Sequence, residues 1–212
     1  MRGSIVVVVC AVVIFLLLVG CVSRDPQYRT IRDPAGESEL SLPPDTGGEL
    51  NLIAGKDFPG AKNGLVVYLP GGYDSHDKDY PVLFFLHGRG EVGYSTDYDV
   101  LLERVLEFGI PRMIAEGTWN PPHPFVVVAP QAHPETIWLG LPDILPELHK
   151  RYRIDETRLY ATGLSMGGMA TWDFIGWNGR SLLIAAAVPI AGFLSDDAAS
   201  DYVSRDGFDH IP

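Results

Sequence analysis

The segment Gly163-Leu164-Ser165-Met166-Gly167 sets a serine between glycines, and its flanks decide what that serine can do. Ahead of it, Arg158-Leu159-Tyr160-Ala161-Thr162 is a short apolar stretch with β propensity. Behind it, Gly168-Met169-Ala170-Thr171-Trp172-Asp173-Phe174 reads as the first turns of a helix. A serine on a tight strand-to-helix turn lifts its hydroxyl above the sheet. The first N–H groups of the helix then face any negative charge that develops beside it. Ser165 is therefore the candidate nucleophile for acyl transfer, and Gly167 and Gly168 would let the helix lie close to the sheet. The plainer alternative is an ordinary strand-to-helix turn with a capping serine.

Acyl transfer also needs a second donor aimed at the developing oxyanion. His87-Gly88-Arg89-Gly90-Glu91 supplies one where it follows the apolar run Pro81-Val82-Leu83-Phe84-Phe85-Leu86. The N–H groups of Met166 and Arg89 are the expected pair, with Gly90 as the substitute for the second. His87 reads as a structural hydrogen-bonding residue, because it would sit on the oxyanion side and away from the proton that Ser165 must lose. Glu91 either orients this loop, binds substrate or stands as a solvated carboxylate. Gln131 and Trp138 are further candidates for a substrate pocket, Trp138 alternatively for the core.

The elements that must position these residues alternate between strand and helix. Strands are expected at Leu50–Ala54, Gly64–Leu69, Pro81–Leu86, Pro124–Ala129, Arg158–Thr162 and Leu182–Ile190. The continuous apolar runs among them suit strands buried on both faces. Val100–Glu116 has helical spacing, broken near Gly109-Ile110-Pro111, and Pro142–Tyr152 places Ile144, Leu145 and Leu148 on one face. This alternation predicts an α/β fold, a mostly parallel sheet with helices on both faces.

The 212-residue chain is long enough for one such domain. Its first 20 residues read as an export signal, with Arg2 before the apolar run Ile5–Val19 and small residues at its end. Leu18-Val19-Gly20-Cys21 resembles a bacterial lipobox, which implies lipidation at Cys21 and anchoring in the bacterial cell envelope. Residues 21–48 read as a flexible tether rich in Pro, Gly, Ser and charge, and 49–212 as the folded domain. The formal net charge of −11 argues against nucleic-acid partners. No two histidines show metal-ligand spacing on one element, so no metal is expected, and acyl transfer by a serine needs no cofactor.

Tyr68-Leu69-Pro70-Gly71-Gly72-Tyr73, Tyr80 to Glu91, Ala129-Pro130-Gln131 with Trp138, and Tyr152 to Gly168 occur here in one order. Together they resemble the α/β-hydrolase superfamily. The likeness is to its esterase branch of phospholipase/carboxylesterase-like, polyhydroxybutyrate depolymerase-like and feruloyl esterase-like proteins, which also includes predicted peptidases. The resemblance implies a serine hydrolase acting on a small-molecule or polymer ester through an acyl-enzyme. It also implies an order of serine, acid, histidine along the chain.

The expected departure lies after Ser165. The segments that would carry the acid and the histidine are expected to be missing, along with the last strands, leaving an exposed sheet edge and little activity. His210 is the only histidine after Ser165. Even helped by Asp196, Asp197, Asp201 or Asp206, it is expected at the far edge of the sheet. Two rival functions stay open: a serine peptidase of the prolyl-oligopeptidase type, and a non-catalytic envelope binding module.

Overall fold

The computed structural model describes residues 42, 45, 47–132, 141–178 and 184–193, with the backbone alone at 141, 142 and 176–178. Cys21, Trp138, His210 and the acidic candidates from Asp196 to Asp206 lie outside the described residues.

Six strands form one sheet: β1 (Glu49–Ile53), β2 (Leu65–Leu69), β3 (Tyr80–Leu86), β4 (Val126–Pro130), β5 (Ile154–Leu164) and β6 (Ile184–Ile190). Their order is β1-β2-β4-β3-β5-β6. β2 runs antiparallel to both β1 and β4, whereas β3 pairs in parallel with β4 and β5, and β5 with β6. The parallel pairs need crossover connections, which is why the helices fall between them. All six strands lie where the apolar runs place them. β5 starts earlier than expected because its first residue, Ile154, pairs with Tyr80, after which the register jumps to Leu159 opposite Val82. The intervening bulge is held by Asp155, which accepts from the Thr157 N–H at 2.8 Å and from the Arg158 Nε at 2.6 Å.

The alternation of β3 side chains separates two apolar layers. Val82, Phe84 and Leu86 pack on one face with Val126, Val128, Ile144, Leu148, Ala170 and Phe174. Phe85 faces the other way, with Val66, Leu102, Val105 and Ala129. Helix α1 (Tyr98–Val105) covers the second layer and begins at Asp97, whose side chain accepts from the Asp99 N–H. Helix α2 is Gly109–Ala115. The break between α1 and α2 falls at 106–108, slightly earlier than Gly109-Ile110-Pro111 suggests. Pro111 lies in the first turn of α2, where a missing N–H costs nothing. Helices α3 (Leu141–Arg151) and α4 (Met166–Asn178) bring Ile144, Leu145, Leu148, Ala170 and Phe174 to the first layer.

Packing also extends into the stretch expected to be tether. Leu42 packs against the core, and the buried Asp45 carboxylate accepts from Tyr68 Oη at 2.8 Å and from the Gly71 N–H at 2.9 Å. A run of polar and turn-forming residues hides a buried carboxylate from sequence reading, because the partners lie some twenty residues away.

Candidate active site

β3 and β5 are neighbours, with Leu86 opposite Gly163. The chain therefore leaves the two strands side by side, into the His87–Glu91 loop from one and into Ser165 from the other. Ser165 has a φ of 56°, a left-handed conformation that few residues other than glycine adopt. Its N–H donates to the Ile190 carbonyl at 2.8 Å, and its own carbonyl accepts from the Met169 N–H at 3.0 Å. The first bond fixes the bend to β6 and the second starts α4. The side chain between them is exposed.

Two glycines make this closeness possible. A β-carbon on Gly167 would stand 1.9 Å from the Leu86 carbonyl oxygen, and one on Gly168 would stand 2.4 Å from that of Ile190. Helix α4 therefore starts flush against the ends of β3 and β6. Its first turn carries no acidic side chain, so the partial positive charge of its free N–H groups is not offset there. Met166, as the first helical residue, has no intrahelical acceptor for its N–H.

Across from Ser165, Arg89–Glu91 forms a single 3-10 turn entered through an extended Gly88. A β-carbon on Gly88 would come within 3.5 Å of the Leu164 carbonyl oxygen, so the start of this turn adjoins the serine bend. Arg89 and Gly90 are exposed, whereas Glu91 is buried and its carboxylate lies over Gly88. Of the expected readings of Glu91, the solvated loop carboxylate is corrected: the turn folds the side chain inward.

His87 is fully buried and fixes this loop from beneath. Nδ1 donates to the Gly88 carbonyl at 2.7 Å and Nε2 accepts from the Ala132 N–H at 3.1 Å, the tautomer that satisfies both partners. Burial holds the imidazole below its ordinary value of 6.5, outweighing the Gly88 carbonyl, which favours the charged ring. Gln131 is buried as well. Its Nε2 donates to the carbonyls of Glu91 at 3.0 Å and Leu101 at 2.7 Å, so its donors face backbone and not a ligand. Arg104 was not anticipated: its guanidinium donates to the Gly90 carbonyl from α1. An arginine on an amphipathic helix carries no sequence mark that separates this role from an ordinary solvated one.

Among the described residues no side chain hydrogen-bonds the Ser165 hydroxyl. His76 contacts Tyr80 Oη at 2.9 Å, and His149 pairs with Glu156 at 3.2 Å.

No protein-family model matches the chain, and no curated protein matches it either. Solved structures do. A thermostable esterase aligns with a TM-score of 0.50 at 27% identity, over 78% of this chain and 44% of its own. A protein designated FAE aligns with a TM-score of 0.51 at 22% identity, over 82% of this chain and 67% of its own. A feruloyl esterase module from Clostridium thermocellum, complexed with sinapinate, gives 0.48 at 22%, over 82% of this chain and 67% of its own. The chain thus spans less than half the length of the first of these. Its strand order, its serine bend and the first two of these likenesses show an α/β-hydrolase fold similar to that of the esterase branch.

Proposed function

We propose that this chain carries the nucleophile and the oxyanion hole of a carboxylic ester hydrolase. The observation that supports it is Ser165, exposed at the strand-to-helix bend with a φ of 56°. A left-handed serine is strained, and such strain persists where the surrounding packing over-determines it, most often at reactive sites. The Ser165 Oγ attacks the ester carbonyl carbon, and the carbonyl π electrons move onto oxygen. The N–H groups of Met166 and Arg89 stabilise that oxyanion, with Gly90 adjoining. Collapse expels the alcohol and leaves an acyl-serine, which water hydrolyses to the acid.

Both proton transfers call for a general base. His87 is not that group, since both its ring nitrogens are engaged with Gly88 and Ala132. The base and its acid are not among the described residues. Attachment through a lipid on Cys21 would place the reaction at the bacterial envelope. A Cys21→Ala variant is expected to lose that lipid mass.

The test is p-nitrophenyl acetate added to the full chain beside a Ser165→Ala control. The expected result is a burst of p-nitrophenol equivalent to the protein and absent from the control, with the matching anilide left intact. A Ser165-dependent release from the anilide would favour the peptidase. No burst from either would leave the fold as a binding module.

A further inference from the structure

We infer that Gln131 is a positioning residue for the oxyanion turn: from the end of β4 its carboxamide joins the Glu91 and Leu101 carbonyls, and so fixes where the Arg89 and Gly90 N–H groups point. The inference deepens the proposed function and rests on those N–H groups facing the substrate oxygen.

A 3-10 turn of three residues is held weakly by its own hydrogen bonds. Here the internal ones are long: Glu91 N–H to the Gly88 carbonyl at 3.4 Å and Val92 N–H to the Arg89 carbonyl at 3.3 Å. Side chains supply the rest. His87 takes the Gly88 carbonyl, Arg104 the Gly90 carbonyl and Gln131 the Glu91 carbonyl. Every carbonyl from 88 to 91 therefore has a donor. In a trans peptide the N–H points opposite to the carbonyl of the residue before it. The Glu91 carbonyl that Gln131 holds shares its peptide with the Val92 N–H, which donates to the Arg89 carbonyl. Holding the carbonyls of 88 and 89 to one side in this way turns the N–H groups of Arg89 and Gly90 to the other, at the start of the turn. That start is the part adjoining Leu164 and the serine bend.

Gln131 differs from the other two because it joins three elements. Its own N–H donates to the Gly64 carbonyl at 3.0 Å, which ties its backbone to the entry of β2. Its two amide protons then reach the turn and the middle of α1. Leu101 can accept this bond beside its helical one, since a carbonyl has two lone pairs. The next turn of α1 carries Arg104, so the helix holds the oxyanion turn both through Gln131 and directly. Donors held in place before the ester arrives need no rearrangement as charge develops. Gln131 thus acts on the acylation rate and not on substrate affinity.

The experiment compares wild type, Gln131→Met and Gln131→Glu as full chains, with Ser165→Ala as control. Methionine keeps the size and removes both donors. The expected acylation rate of Gln131→Met, read from the p-nitrophenol burst, is about ten- to hundredfold lower. KM stays within about twofold. Amide exchange is expected to quicken across 89–93 and to stay unchanged in β3 and β4. In Gln131→Glu the rate is expected to recover as pH falls, because a protonated carboxyl again donates one hydrogen bond. Unchanged acylation and exchange in Gln131→Met would overturn the inference. So would faster exchange spread through the whole sheet, which marks a merely structural loss. If wild type gives no Ser165-dependent burst, the proposed function fails. The exchange pattern alone then decides whether Gln131 orders the turn.

Discussion

Gly167 lies so close to the end of β3 that a β-carbon would stand 1.9 Å from the Leu86 carbonyl oxygen. That obstacle is backbone in the central strand, which cannot rotate aside. Gly167→Ala should therefore displace α4 from the sheet and destabilise the fold by about 2–3 kcal/mol. Urea unfolding of the variant measures this, and an unchanged midpoint would show that the helix start has room to spare.

Ser165 holds a φ of 56°, which costs a residue with a β-carbon roughly 1 kcal/mol relative to glycine. Ser165→Gly is expected to abolish the p-nitrophenol burst and to raise the unfolding free energy by about that amount. Ser165→Ala should abolish the burst without the gain in stability. Equal stability of the two variants would show that the backbone there is unstrained.

His87 is held neutral by burial, below its ordinary value of 6.5. The unfolded chain then binds the proton first as pH falls. Its contribution is intact above 6.5 and is lost as pH drops from there toward the depressed folded value. The slope is at most about 1.4 kcal/mol per pH unit. Glu91 and Arg104 also act on this ring, with opposite signs. The quantity to measure is the difference in urea unfolding between wild type and His87→Gln at several pH values from neutral downward. Parallel curves would mean that His87 does not titrate differently in the two states.

Asp45 accepts from Tyr68 Oη, the Gly71 N–H and the Gly47 N–H. Asp45→Ala leaves the Tyr68 hydroxyl proton and the Gly71 amide without their acceptor, at an expected cost of about 2–3 kcal/mol. Burial, with Asp45 next, already pushes the Tyr68 ionisation above its ordinary value of 10.0, so the hydroxyl stays a donor at any working pH. The burst at Ser165 should not change below the new unfolding temperature. A lost burst in a folded variant would tie this cluster to the site.

Much of the architecture was legible because continuous apolar runs, such as Pro81–Leu86, leave few alternatives to a buried strand. Gly163, Gly167 and Gly168 marked the serine bend because closeness of backbone leaves a trace in residue type. The clamp around the Arg89–Glu91 turn was less legible. Gln131 was a candidate pocket residue and Arg104 was not singled out, since the partners they meet are backbone carbonyls, which every residue has. Asp45 was hidden similarly: a carboxylate in a Pro- and Gly-rich stretch gives no sign that a tyrosine hydroxyl closes over it.

Because β2 runs against its neighbours, the connection after Leu69 emerges beside the entry of β4, where Tyr68 pairs with Val127. Ser165 emerges past the exits of β3 and β5. One rim of the sheet therefore carries the Asp45 cluster, and the other carries Ser165 and the His87–Glu91 loop with its own fastenings. Sequence change in the loops on the second rim can proceed while the Asp45 anchorage on the first goes undisturbed.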